Sequence, residues 1–175
     1  MIDAIKKRRS VRSFKDRDVE DEKLEEILKA ASYSPSAKAR YPWSLVVVKD
    51  EKKREKFSKS TRWSSFASDA PVVIAVTSED TKTWVEDSSI VAEHIQLEAT
   101  NQGLGACWIH IRDAETDRDK KPEERVKDIL NVPEDQRVLC LVAIGYPDEH
   151  KKEHPHKKSR IETQDIYEES HGNEF

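Results

Sequence analysis

The chain has 175 residues, of which 38% are charged and 35% hydrophobic, and its formal net charge is −4. That length supports one domain with a real core. The near-balanced charge argues against a general nucleic-acid binder, and the apolar runs are far too short to span a bilayer. Taken in order, Ile2 to Lys7 reads as a short helix. A second helix opens at Asp18 or Glu20, carries Leu24, Ile27, Leu28 and Ala31 at helical spacing, and is ended by Pro35. Residues 34–43 form a loop of small and polar residues with two prolines. Ser44 to Lys49 is a first strand, its continuous apolar run predicting burial on both faces. A charged surface helix spans Asp50 to Lys59, and residues 62–69 are irregular. Ala70 to Thr77 is a second buried strand. The longest helix runs from Glu86 to Gln102 and is capped by Gly103. Gly105 to Ile111 is a third strand, with Gly105 serving a tight turn. A helix begins at Lys121-Pro122, with proline in its first turn, and ends before Val132-Pro133. Val138 to Ile144 is a fourth strand. Four buried strands and about four substantial helices make an α+β domain over residues 1–175, with residues 148–175 as a charged C-terminal extension that has no core of its own.

The first 20 residues are charged and lack the apolar stretch of a signal peptide, so a cytoplasmic protein is expected. Cys107 and Cys140 lie inside apolar runs and read as buried, reduced thiols without metal-ligand spacing. His150, His154 and His156 fall in a hydrophilic stretch and read as a solvated tail, so no metal site is assigned. No glycine-rich dinucleotide fingerprint, phosphate loop or serine elbow is present.

Two basic clusters carry the functional signal: Arg8-Arg9-Ser10-Val11-Arg12 near the start, and Lys157-Lys158-Ser159-Arg160 near the end. Guanidiniums and hydroxyls at close spacing match phosphate oxygens. A fold that joined the two clusters would bind a dianion.

Five stretches in order then resemble the FMN-dependent nitroreductase family. They are Arg8 to Arg12, Ser34-Pro35-Ser36-Ala37 with Pro42-Trp43, Gly103 to Ile109, Ala143 to Pro147, and Lys158-Ser159-Arg160. The resemblance implies a central, mainly antiparallel sheet flanked by helices, in an intertwined homodimer with FMN at the subunit interface. It implies that Arg8, Ser10, Lys158 and Arg160 hold the FMN phosphate. Arg12 would lie at the pyrimidine edge of the flavin, and Arg9 would act through its backbone and neighbouring ring contacts. Pro35, Ser36 and Ala37 from the partner subunit would pack on the ring. Trp108, Ile109 and His110 would lie behind it, although Trp108 equally suits an ordinary core position and Cys107 suits packing.

Tyr41 and Arg62 are candidate substrate contacts. Ala39 and Tyr41 stand where the family often has asparagine and glutamine, and His110 where many relatives have a small or acidic residue. The implied activity is hydride transfer from NAD(P)H through FMN to nitroaromatic or quinone-type acceptors, with no side-chain nucleophile. A flavin-binding sensor, or a specialised branch for reductive dehalogenation or flavin breakdown, is the alternative.

Overall fold

The computed structural model describes residues 1–115, 119–153 and 155. Among the described residues five α-helices and four strands follow in the order α1 (Asp3–Lys7), α2 (Asp21–Ser32), β1 (Trp43–Val48), α3 (Glu51–Phe57), β2 (Val72–Glu79), α4 (Trp84–Asn101), β3 (Gly105–His110), α5 (Pro122–Leu130) and β4 (Gln136–Gly145). The strands form one sheet in the order β1-β2-β4-β3. Every pair in it is antiparallel, as the α+β reading with a mainly antiparallel sheet required. Among the described residues no helix is long and apolar enough to cross a membrane.

Strand alternation sends side chains to two cores. On one face Val72, Ile74, Val76, Val142 and Ile144 pack against Leu24, Ile27 and Ala31 of α2 and Val91, Ile95 and Ala99 of α4. On the other face Val73, Ala75, Leu141, Ala143, Cys107 and Ile109 are covered by Val11, Phe14, Phe57, Phe66 and Val126. Each fully buried Ile or Val contributes about 1.5–3 kcal/mol. The central strands β2 and β4 are therefore apolar over residues 72–76 and 138–144, where both of their faces are covered, and turn polar at Thr77–Glu79 and Gln136–Arg137.

The expectation that the first strand is buried on both faces is corrected. β1 is the sheet edge, and of its six residues only Val48 is fully buried, at 4% exposure. An apolar run reports affinity for a core but not how many neighbours a strand has.

Two irregularities flank β3, one at each of its ends. Between β2 and β4 the register slips from Val76↔Cys140 to Thr77↔Val138, so Leu139 has no cross-strand partner. Its carbonyl instead accepts from the backbone N–H groups of Ile111 (3.4 Å) and Arg112 (3.1 Å), the chain leaving β3. Such a bulge re-aims the chain beside it. At the end of α4, Gly103 takes φ 74. Its N–H donates to Thr100 O (3.1 Å), and that of Leu104 to Ala99 O (2.8 Å), closing the helix as the sequence predicts.

Gly105 departs from the tight-turn reading. A Cβ on it would stand 2.7 Å from Val11 Cγ1, so the missing side chain admits the N-terminal segment onto β3.

Candidate functional site

Residues 8–12 leave α1 extended and dock along the outer edge of the sheet. Ser10 bridges in parallel to Ala106 of β3, and the Val11 N–H donates to Ala106 O at 3.0 Å. Val11 turns into the core at 8% exposure while Arg12 stays exposed. Arg8 reaches α4, where its Nε lies 3.3 Å from Glu93 Oε1. Burial pushes the Glu93 carboxyl up, while the Arg8 charge opposes that shift. The Arg12 guanidinium lies 5.8 Å from the centre of the Phe66 ring, close enough for a cation–π contact.

The chain after β4 wraps over this segment. Lys151 Nζ donates to Ser10 O (2.6 Å), the Arg12 N–H donates to Glu149 Oε1 (2.6 Å), and Arg9 donates to the carbonyl of Lys152. The Arg9 side chain thus ties the wrapping chain to the basic segment. The backbone N–H of Arg12 is the first cause of the lowered Glu149 pKa. The described part of the C-terminal extension therefore starts across the first basic cluster. Lys158 and Arg160, like His154 and His156, lie outside the described residues.

The second segment, Pro35-Ser36-Ala37, is moored to α4. Ser34, 1% exposed, shares a 2.9 Å hydrogen bond between its Oγ and His94 Nδ1. The Ala37 N–H donates to Asp87 Oδ1 (2.8 Å), and the Thr83 hydroxyl donates to Asp87 Oδ2 (3.1 Å). The Tyr41 N–H donates to Ser36 Oγ at 2.8 Å and closes the loop on itself. Lys38, Ala39 and Tyr41 sit at φ 57, 52 and 50. Left-handed backbone costs a residue with a Cβ on the order of 1–2 kcal/mol. Three such residues within four positions persist only where the surroundings hold them, as is common at ligand sites. Tyr41 is exposed and meets Trp43 edge-on, with ring centres 6.5 Å apart. The indole N–H of Trp43 is buried without a hydrogen-bond partner.

The third segment, Trp108-Ile109-His110, is split by strand alternation. Trp108 is half-buried against the core beneath α2 and α4. Ile109, 3% exposed, faces the other core, and His110 is exposed. Core packing thus accounts for much of Trp108. Cys107 is 1% exposed and burial pushes its thiol up, which suits packing rather than chemistry. Arg62 is exposed in the connection that holds Phe66, the aromatic partner of Arg12, and Trp63 beside it is 81% exposed.

Sequence reasoning did not single out Glu93, His94 or Asp87. They sit on a helix of mixed polarity, with Asp87 and His94 seven residues apart and so on one face. That spacing is the signal that could have found them.

A cleft of about 170 Å³ is lined by Lys7, Arg9, Val11, Gly105 and Lys151 among others. Two larger clefts of about 570 Å³ each lie elsewhere, along α5. Among the described residues no group of three His, Cys, Asp or Glu could hold a metal ion.

Comparison with known proteins agrees with this geometry. The sequence pattern of the Nitroreductase family matches residues 5–68 and 58–146. An FMN-dependent nitroreductase of Clostridium difficile superposes with a TM-score of 0.87 at 37% identity, over 97% of this chain and 99% of that one. A relative from Methanothermobacter thermautotrophicus, provisionally named an NADH dehydrogenase/NAD(P)H nitroreductase, is 34% identical over 86% of this chain and 78% of its own length. An iodotyrosine deiodinase of Thermotoga neapolitana is 28% identical over 89% of this chain and 92% of its own. The match runs from α1 through the end of the sheet, across residues 8–12, 35–37 and 108–110, and the chain therefore belongs to the nitroreductase family.

Proposed function

We propose that the chain is an FMN-dependent NAD(P)H oxidoreductase that reduces nitroaromatic or quinone-type acceptors by a ping-pong route, as a homodimer. The observation that carries this reading is the Arg8–Arg12 segment, docked onto β3 through Ser10, Val11 and Gly105 within the family's fold. The donor set fits the cofactor. Arg8 and Ser10 offer charge-assisted and hydroxyl hydrogen bonds suited to a phosphate, with Lys151 alongside. Lys158 and Arg160 would complete that set.

FMN, held by Arg8 and Ser10, would supply the hydride-transfer chemistry between NAD(P)H and the acceptor. The protein's part is to bind and to tune. Arg8, with Glu93 behind it, holds the phosphate end. Arg12 places a fixed positive charge where reduction adds negative charge. Arg9 secures the wrapping chain at Lys152. Pro35, Ser36 and Ala37 pack a small-residue surface against the ring of a site shared with the partner subunit. Ile109 and His110 contribute backbone at the end of β3, beside the Leu139 bulge. Tyr41 and Arg62 border the acceptor's path.

A turnover screen tests the reading: purified protein, NADH and NADPH, and quinone and nitro acceptors. A yellow protein with parallel double-reciprocal plots is expected. A colourless protein that neither binds FMN nor oxidises either nicotinamide overturns it.

A specialised dehalogenating branch is the second reading. It is favoured by the deiodinase relative and by an exposed Tyr41 on a strained loop beside Trp43. Iodide release from iodotyrosine under a reductant, with no quinone turnover, would decide for it.

A further inference from the structure

We propose that Asp87 is the positioning residue for the Pro35–Tyr41 loop, setting how that loop meets the flavin ring; the assignment rests on the flavin reading above. Asp87 is 4% exposed in the first turn of α4. Its two carboxylate oxygens face in two directions: Oδ1 takes the Ala37 N–H at 2.8 Å, and Oδ2 takes the Thr83 hydroxyl at 3.1 Å. Burying a carboxylate is expensive unless its acceptor capacity is used, and a carboxylate forms stronger hydrogen bonds than a neutral group. The group therefore fixes geometry.

The geometry it fixes is unusual. The loop is pinned at its start by Ser34 on His94, and at its end by Pro42 O, which accepts from the Glu79 N–H at 3.0 Å. Between those ends lie Lys38, Ala39 and Tyr41, all at positive φ and none of them glycine. Such residues relax to negative φ when released. The Asp87–Ala37 bond joins the loop to α4 one residue before the left-handed run begins. It governs where Ser36 and Ala37 stand and, through the Ser36–Tyr41 bond, where the Tyr41 ring stands against Trp43. None of these contacts involves the Arg8–Arg12 segment. Asp87 should act on the ring side of the ligand and leave the phosphate side alone.

The test uses the full chain, with FMN and riboflavin as separate probes. Asp87→Ala should weaken both flavins by the same factor, about tenfold or more, and change the visible circular dichroism of bound FMN. Asp87→Asn keeps an acceptor for Ala37 and a partner for Thr83, and should restore the spectrum and most of the affinity. Thr83→Val leaves the carboxylate in place and should shift both flavins in the same direction by less; it decides the matter if Asp87→Ala does not fold. Loss confined to FMN, unchanged binding and spectrum in Asp87→Ala, or an Asp87→Asn as impaired as the alanine variant would each overturn the assignment. Wild-type protein that binds neither flavin overturns the flavin reading and this assignment together. Wild type that binds FMN beside an indifferent Asp87→Ala overturns the assignment alone.

Discussion

Arg8 and Arg12 stand four positions apart and have different surroundings. Arg8 is tied to a half-buried carboxylate on α4, whereas Arg12 lies exposed beside Phe66. The two should therefore fail differently. Arg8→Ala should weaken FMN by about 1.5–3 kcal/mol, the worth of a hydrogen bond to a charged group, and riboflavin far less; equal losses in paired titrations would remove its phosphate role. Arg12→Gln should leave binding of oxidised FMN nearly unchanged but lower the two-electron potential by roughly 30–60 mV, since 30 mV corresponds to about 1.4 kcal/mol. A spectroscopic redox titration reads that difference, and an unchanged potential would exclude the tuning role. Glu20 offers a third residue-scale test. The Tyr146 hydroxyl donates to it at 2.7 Å, and that bond, with smaller contributions from backbone and Arg17, lowers its pKa from 4.5 to about 2. A carboxylate with a depressed folded-state pKa stabilises the protein fully above 4.5 and loses that contribution as pH falls toward 2. Tyr146→Phe should accordingly lower the Tm near neutral pH, with a difference from wild type that shrinks as the pH drops below 4.5. A constant difference across that window would mean the bond does not act through Glu20 ionisation.

At the scale of elements, α4 organises the candidate site. It supplies Glu93 to Arg8, His94 to Ser34 and Asp87 to Ala37, while Val91, Ile95 and Ala99 hold it on the sheet. β3 is the second organiser, because residues 10–11 add to its edge only where Gly105 lacks a side chain. Gly105→Ala should push Val11 off that edge, destabilising the protein by about 1–3 kcal/mol, the usual range for overpacking. FMN affinity should fall with it, because Arg8 and Ser10 move with the segment. Chemical denaturation and a flavin titration check both, and an alanine variant with wild-type stability would show that the segment does not depend on this approach.

For the whole molecule, β1 is a half-buried edge strand made largely of apolar residues, and Ile2, just before α1, and Ile5 within it are 70% and 51% exposed. Apolar surface of that kind usually marks an interface. A second copy of the chain is the proposed occupant, and it would also bring in the Pro35–Ala37 loop of the shared site. Sedimentation at low micromolar concentration should show dimer only. A folded monomer that retains FMN would contradict the proposed homodimer.

Periodicity and glycine placement were enough to find all four strands, the main helices and the Gly103 cap. Each of these depends on local backbone preference and on a pattern of burial repeating every two or about 3.6 residues. The basic segment Arg8 to Arg12 stood out as a candidate because its residue types suit an anion. Three features were not legible. The exposure of β1 depends on its place in the strand order. Gly105 matters for a contact with Val11, 94 positions away in the chain. The left-handed loop from Lys38 to Tyr41 contains no glycine or asparagine to announce it, and its conformation is held by Asp87 and His94 from a helix that begins more than 40 residues later. Composition and spacing record what each residue can do. Strand order, close approach and strain arise only when distant segments meet, and here the tertiary structure alone decided them.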